Sequence, residues 1–225
     1  MDKQTLAQYI DHTYLKADAT TENLKKLCDE AISVGTKMVA INSYWTKFCR
    51  QYLDQHKAAV HVGAAIGFPL GQQTIASKVF ETEDAISNGA DEIDYVLNIS
   101  KVKEQDYAYI EKEMQAIVDL CRQHQVISKV IFENCYLEDF EIIELAKVAN
   151  RVLPDFIKTS TGFGTSGARL EDVKLMLKYA PNVKVKAAGE IRSYQTAKAF
   201  LDLGVKRIGT SSTLKILEEF EVNTK

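Results

Sequence analysis

Along the chain, short apolar, β-branched runs alternate with longer stretches in which apolar residues recur every three or four positions. The first pattern has the period of a strand and the second that of a helix, and their regular alternation predicts a parallel α/β fold. Eight runs read as strands: IDHTYL, KMVAINS, HVGAAIGF, DEIDYVLNI, SKVIFEN, DFIKTST, KVKAAG and RIGTSS. Between them, TTENLKKLCDEAISVG sets Leu24, Leu27, Cys28, Ala31 and Ile32 on one face, with Gly35 placed to end the helix. DYAYIEKEMQAIVDLCRQH, LEDFEIIELAKVANRV and RLEDVKLMLKYAP follow the same pattern.

Eight strand–helix units predict an α/β fold, a (β/α)8 TIM barrel, and 225 residues is near the lower end of that fold's range. A short helix around Thr5 to Ile10 is expected to plug the barrel's N-terminal end. A doubly wound open sheet is the competing arrangement. It usually has fewer strands and often a Gly-rich nucleotide turn, and no GxGxxG follows the first strand here. Only three prolines occur and no Pro/Gly/Ser-rich linker divides the sequence, so residues 1–225 read as one domain.

Composition adds limits rather than an activity. The chain is 46% hydrophobic and 26% charged, enough to fill a sizeable core. A net charge of −3 offers no global attraction for nucleic acid or an anionic membrane, so an anion site has to be local. Cys28, Cys49, Cys121 and Cys135 form no CxxC pair and no metal-type spacing with the four histidines. The first three fall in helical patterns, as small buried thiols do, and that usage suits a reducing cytoplasm. MDKQTLAQYIDH has no signal-peptide run and no segment approaches a membrane span, so a soluble cytoplasmic protein is expected.

In such a barrel the reactive groups lie at the C-terminal ends of the strands. Those ends carry Asp11, Asp94, Glu133, Lys158, Lys186, and Ser211 with Ser212. Lys158 alone could pack its stem and turn its amine to solvent, the usual fate of a strand lysine. Lys186, however, falls at a similar depth on the next strand, and neighbouring strands run about 4.8 Å apart. Repulsion between two inward amines, with desolvation, lowers the pKa of one of them toward neutrality. A neutral amine can attack a carbonyl and form a Schiff base. Asp94 shares a face with Glu92 and Val96, and a carboxylate there needs a cationic or hydrogen-bonding partner. Opposite two lysines it could hold a water and shuttle protons, or serve as a purely structural ion pair. Lys129 is a candidate further member of the cluster.

VKVKAAGEIRS puts Lys184 on the same face as Lys186, deeper in the barrel or paired near its lower end. In RIGTSSTLKILEEF, Gly209 lets a ligand approach the backbone, Ser211 and Ser212 supply hydroxyls, and the next helix offers free N–H groups. Loops in this position are a frequent phosphate site in the fold; the plainer alternative is an ordinary serine N-cap.

IDHTYLK, IGFPLG, NGADEIDYVLNI, KVIFENC, DFIKTSTGFG and RIGTSS occur in the order and spacing of a known family. Over nearly its whole length the chain resembles the deoxyribose-phosphate aldolases, class I enzymes on a TIM barrel. DFIKTSTGF followed by the VKAAG lysine is the most specific part. The resemblance implies reversible cleavage of 2-deoxy-D-ribose 5-phosphate to acetaldehyde and D-glyceraldehyde 3-phosphate, in deoxyribonucleotide and carbohydrate catabolism. It assigns the Schiff base to Lys158, the lowering of its pKa to Lys186, and a proton relay through water to Asp94. It places Asp11 and Thr13 on the substrate hydroxyls, and Thr161, Gly162, Gly189, Gly209, Ser211 and Ser212 around the phosphate, with Glu190 beside them. It implies no metal and no cofactor, since the iminium is itself the electron sink, and it is compatible with a homodimer.

Three departures from the family pattern carry expectations. Ala40 stands where the family usually has a cysteine; that thiol is not needed for Schiff-base chemistry, so activity and better tolerance of reactive aldehydes are expected. EEFEVNTK shows no counterpart of the family's tail tyrosine, from which a slower proton step is expected. Glu190 replaces the second glycine of a Gly-Gly pair whose N–H donates to phosphate. A carboxylate about 4 Å from a phosphate charge costs on the order of 4 kcal/mol at an effective dielectric of ~20. A helix end returns only about 0.3–2 kcal/mol. Pointing inward, Glu190 would weaken phosphate recognition and favour non-phosphorylated aldehydes; pointing outward, its N–H could still donate. Two other readings stay open: a transaldolase-like or ketose-phosphate aldolase using Lys158 with a different donor, and a sugar-phosphate-binding protein without turnover.

Overall fold

A computed structural model describes residues 1–223. The strands are β1 (Ile10–Tyr14), β2 (Met38–Asn42), β3 (His61–Ile66), β4 (Glu92–Val96), β5 (Ile127–Ile131), β6 (Phe156–Lys158), β7 (Lys184–Ala188) and β8 (Arg207–Thr210). All pair in parallel with their sequence neighbours, and β8 returns to β1, so the sheet closes into the expected TIM barrel. The helices are α1 (Lys3–Ala7), α2 (Thr21–Val34), α3 (Thr46–Gln55), α4 (Ile75–Ser87), α5 (Ile99–Lys103) and α6 (Tyr107–Gln123). They continue with α7 (Asp139–Val152), α8 (Leu170–Tyr179), α9 (Tyr194–Leu203) and α10 (Thr213–Asn223).

Local chemistry sets the ends of these elements. A Thr20–Asn23 capping box starts α2, and Gly35, at φ 68°, ends it in the left-handed conformation. The first helix is Lys3–Ala7, earlier than the expected Thr5 to Ile10. Asp2 caps it by accepting the Thr5 N–H at 2.7 Å, and Ile10 already belongs to β1. It buries Leu6 and Ala7 and packs on α10. Among the described residues no helix is long and apolar enough to cross a membrane.

Strand alternation separates two environments. The outward residues, such as Val62, Ile93, Tyr95, Val130, Ile157, Val185 and Ile208, are buried against the helices and form the apolar core. The inward set includes Asp11, Glu92, Asp94, Lys129, Lys158, Lys186 and Arg207, all buried. Branched apolar layers usually fill such a barrel; here small residues on the inner face leave room for charge. At Gly63, a Cβ would lie 2.3 Å from the Met38 sulfur that fills the middle of the barrel.

Lys184 lies at the lower end of the barrel, one of the two places expected for it. It shares the inner face with Lys186, but it is exposed at the lower mouth, with its Nζ 5.4 Å from the centroid of the Phe156 ring. Being the first residue of β7, it lies below the charged layer rather than within it.

Candidate active site

Within the barrel, ion pairs link three carboxylates and three cations into a closed ring of alternating sign. Lys129 Nζ lies 2.6 Å from Asp94 Oδ1 and 2.5 Å from Glu92 Oε2. Arg207 bridges Glu92, at 2.9 Å through Nη2, and Asp11, through Nη1. Lys186 Nζ completes the circuit, 2.6 Å from Asp11 Oδ2 and 2.7 Å from Asp94 Oδ2. Lys158 hangs from this ring. Its Nζ is 3.0 Å from Asp94 Oδ2, and it has no second carboxylate partner among the described residues.

The ring is balanced, so Lys158 is the odd charge. Burial, and next the Lys186 ammonium, push its pKa down to about 8 against the pull of Asp94. Burial alone would raise the Asp94 pKa, but Lys129, Lys186 and Lys158 outweigh it and hold the carboxyl well below the usual range. The same competition holds Glu92 low through Lys129, His61 and Arg207. Lys129 is raised, because Asp94, Glu92 and Asp11 overcome its desolvation. The site therefore combines a buried network of paired charges with one amine, Lys158, whose pKa is lowered to about 8.

The mouth of the barrel opens into a cavity of about 610 Å³. Of the charged network only Lys158 borders it; Asp11, Asp94 and Lys186 lie beneath. The other predicted residues divide accordingly. Thr13, Thr161, Gly162, Gly189, Glu190, Gly209 and Ser211 line the cavity together with Lys158. Asp11 does not reach it, being paired with Lys186 and Arg207. Ser212 does not line it either; its carbonyl accepts the Ile216 N–H at 3.0 Å, as an N-cap does, and its own N–H donates to Thr210 Oγ1 at 2.9 Å. Ala40 lies inside the barrel beside Thr13 in the β1–β2 register, not on the cavity wall. The end of EEFEVNTK falls outside the described residues.

The loop after β6 is held from below. Glu133 stands in a left-handed turn at φ 58°, accepts the Thr161 N–H at 3.1 Å and takes a short hydrogen bond from the Thr161 hydroxyl. This sets Gly162 at the cavity wall, opposite Gly189. Both have positive φ, 88° and 90°, and a Cβ on Gly189 would come within 2.9 Å of Gly167 Cα. The N–H groups of Gly162 and Glu190 have no acceptor among the described residues.

Several residues of the site went unrecognised in the sequence. Arg207 precedes the glycine of RIGTSS at the inward period-two position, and that alternation was the available signal. His12 lines the cavity from β1; its Nε2 lies 2.8 Å from Glu30 and its Nδ1 2.7 Å from the Thr213 hydroxyl. Lys16, Lys26 and Arg192 bring further positive charge to a wall whose acidic members are Glu30 and Glu190. A locally cationic cavity thus sits in a chain of net charge −3. Nothing in the spacing of Lys16, Lys26 and Arg192 announces this, since tertiary folding alone brings them together.

The chain that folds into this barrel is similar in sequence and in fold to known proteins. Residues 5–205 match the family model described as DeoC/LacD family aldolase. A deoxyribose-phosphate aldolase of Lactobacillus acidophilus is 55% identical over 220 residues, covering 97% of this chain and 92% of the relative. One from Thermococcus gammatolerans is 47% identical, covering 95% of each. The solved structure of an Aeropyrum pernix deoxyribose phosphate aldolase, described as tetrameric, superimposes with a TM-score of 0.90 at 32% identity, over 98% of this chain and 92% of that one. Fold and sequence agree, and the chain belongs to the DeoC/LacD family of aldolases.

Proposed function

We propose that this protein reversibly cleaves 2-deoxy-D-ribose 5-phosphate to acetaldehyde and D-glyceraldehyde 3-phosphate, through a Schiff base on Lys158. The observation that carries this reading is the placement of Lys158: it alone of the charged network meets the cavity, and its pKa of about 8 leaves a usable fraction of free amine at neutral pH. The amine adds to the substrate aldehyde and the carbinolamine loses water to give an iminium. Deprotonation of the C3 hydroxyl breaks the C2–C3 bond, and its electron pair passes into the iminium as an enamine. Glyceraldehyde 3-phosphate leaves, the enamine carbon takes a proton, and hydrolysis frees acetaldehyde.

Asp94 stays ionised beside Lys129 and Lys186, whose charges hold its carboxyl low whether Lys158 is an ammonium, a free amine or an iminium. It stabilises the iminium charge, and the protons it directs travel on water or Lys186 rather than residing on its carboxyl. Thr13 contacts substrate hydroxyls; Asp11 acts through Lys186. The phosphate meets the N–H groups of Gly162 and Glu190, with Gly189, Gly209, Ser211 and Thr161 shaping the pocket and the Ser212 cap fixing α10 behind it. Residues 1–225 act as one catalytic domain in the cytoplasm, consistent with four free cysteines, in the breakdown of deoxyribonucleotide sugar. Exposed Tyr44 and Phe80 offer apolar surface for a homodimer, which light scattering of the purified protein tests.

Incubation with acetaldehyde and borohydride tests the chemistry. Reduction traps an ethyl group, and peptide mass spectrometry should locate it on Lys158. Absence of any covalent adduct on Lys158 would sink the Schiff-base assignment.

A further inference from the structure

The turn after β7 holds a glutamate in a backbone shape that suits a glycine. Gly189 and Glu190 have φ of 90° and 60°, both in the left-handed region, which a residue bearing a Cβ adopts only at a cost. The side chain of Glu190 is engaged in fixing that turn. Its Oε2 accepts the Gly167 N–H at 3.2 Å, and the neighbouring Gly189 carbonyl accepts the Ala168 N–H at 3.2 Å. These two hydrogen bonds pin the segment after β6 to the turn after β7. The approach is too close for a side chain at Gly167, where a Cβ would lie 2.3 Å from the Gly189 oxygen.

Glu190 is nevertheless exposed, and it lines the cavity with Gly162, Gly189 and Ser211. Its carboxylate makes no ion pair among the described residues, so the Gly167 N–H leaves its charge uncompensated. Facing the same space, Arg192 also has no carboxylate partner among the described residues. A dianionic phosphate entering here gains Arg192 and the free N–H groups, but meets the carboxylate on the same wall. A neutral hydroxyaldehyde meets no such repulsion.

We infer that Glu190 determines the substrate range of this site: it latches the Gly167 segment while its charge weakens binding of phosphate monoesters, narrowing the preference for phosphorylated over non-phosphorylated aldehydes. The inference rests on the aldolase reading for what the cavity receives. Latch and charge are separable. Glu190→Gln keeps the chain length and an oxygen for the Gly167 N–H and removes only the charge. Glu190→Gly removes both.

The test pairs a binding measurement with turnover. Inorganic phosphate is titrated calorimetrically into the wild type and both variants, and kcat/KM is measured for acetaldehyde addition to glyceraldehyde 3-phosphate and to glyceraldehyde. Glu190→Gln is expected to bind inorganic phosphate at least about fivefold tighter, with a matching rise in the phosphorylated-to-neutral kcat/KM ratio. The gain should shrink at high salt, as screening of an exposed charge requires. Equal phosphate affinity in Glu190→Gln and wild type overturns the inference, as does a gain seen only in Glu190→Gly, which would implicate the latch alone. If the wild type turns over neither acceptor, the aldolase reading fails, while the phosphate titration still decides the role of Glu190.

Discussion

Lys158 and Lys186 donate to the same oxygen of Asp94, at 3.0 and 2.7 Å. Lys186 has Asp11 as a second anion and Lys158 has none, so the pair's weakly held proton belongs to Lys158. If the neutral amine is the nucleophile, kcat/KM should rise through a single limb near pH 8 and level off above it. Lys186→Met removes the repelling ammonium and leaves Asp11 and Asp94 short of a cation, and both changes favour protonated Lys158. The limb should move to higher pH, and the rate at pH 7 should fall about 10- to 100-fold, each pKa unit costing roughly tenfold in free amine. A lower rate with the limb still near pH 8 would contradict this account.

The alternating ring makes a sharper prediction about residues that never meet the substrate. Arg207→Met leaves the ring one negative charge in excess, which should raise the Lys158 pKa; Glu92→Gln leaves it one positive charge in excess, which should lower it. Charged neighbours common to both variants are Asp11, Asp94, Lys129 and Lys186, with His61 against Glu92 and Glu133 beside Lys158. Opposite displacements of the kcat/KM limb, each of about half to one unit, are expected. Displacement in the same direction would show that the ring is only structural. Arg207→Met should also lose stability, up to about 3–5 kcal/mol, by taking from each of two buried carboxylates one of its two cationic partners, readable from urea unfolding.

Holding Lys158 ready for chemistry costs the fold. Its folded pKa of about 8 lies below the ordinary value of 10.5. The unfolded chain therefore binds the proton more tightly, and the penalty is complete below pH 8 and disappears as pH rises toward 10.5. A shift of this size corresponds to about 3 kcal/mol. Lys158→Met should abolish turnover yet raise Tm at pH 7 by about 6–12 °C, with the gap closing toward pH 10.5. Thermal unfolding at the two pH values checks this; a Tm at or below that of the wild type at pH 7 would refute it.

How much of this was legible in the sequence depended on the range of the interaction. Strand period and turn residues are local, so the barrel, and the shared face of Lys158 and Lys186, could be read directly. Helix ends were less secure: α1 starts at Lys3 because Asp2 caps it, and the expected Thr5 to Ile10 window missed that cap. Alternation gave Lys184 its face and the lower end of the barrel but not its exposure, which depends on where β7 enters the sheet opposite Phe156. The ring was legible only in part. Asp94 was expected opposite the two lysines with Lys129 nearby, as found, but the ring's closure through Arg207 joins Glu92 to Asp11 across the barrel, a contact that no pairing of adjacent strands reveals. For Glu190, the left-handed backbone and the bond to Gly167 depend on two loops folding against each other.

Gly209 links the packing of the barrel to its chemistry, and adding one methyl there tests the connection. A Cβ at this position would lie 2.8 Å from Ala188 Cβ and 3.1 Å from Lys186 Cε. Backbone φ is no obstacle, because Gly209 sits within β8 in ordinary strand pairing. Gly209→Ala should therefore act through Lys186, pushing its ammonium off Asp94 and Asp11. Overpacking of this kind costs about 1–3 kcal/mol, and misplacing the group that tunes Lys158 should lower kcat about tenfold, with the pH limb moved upward. The closer of the two clashes is with a methyl that can be removed. Ala188→Gly in the same chain should recover much of the lost stability, while Lys186 Cε remains crowded and the pH limb stays displaced. Recovery of both together would place the damage at Ala188 and clear Lys186 of it.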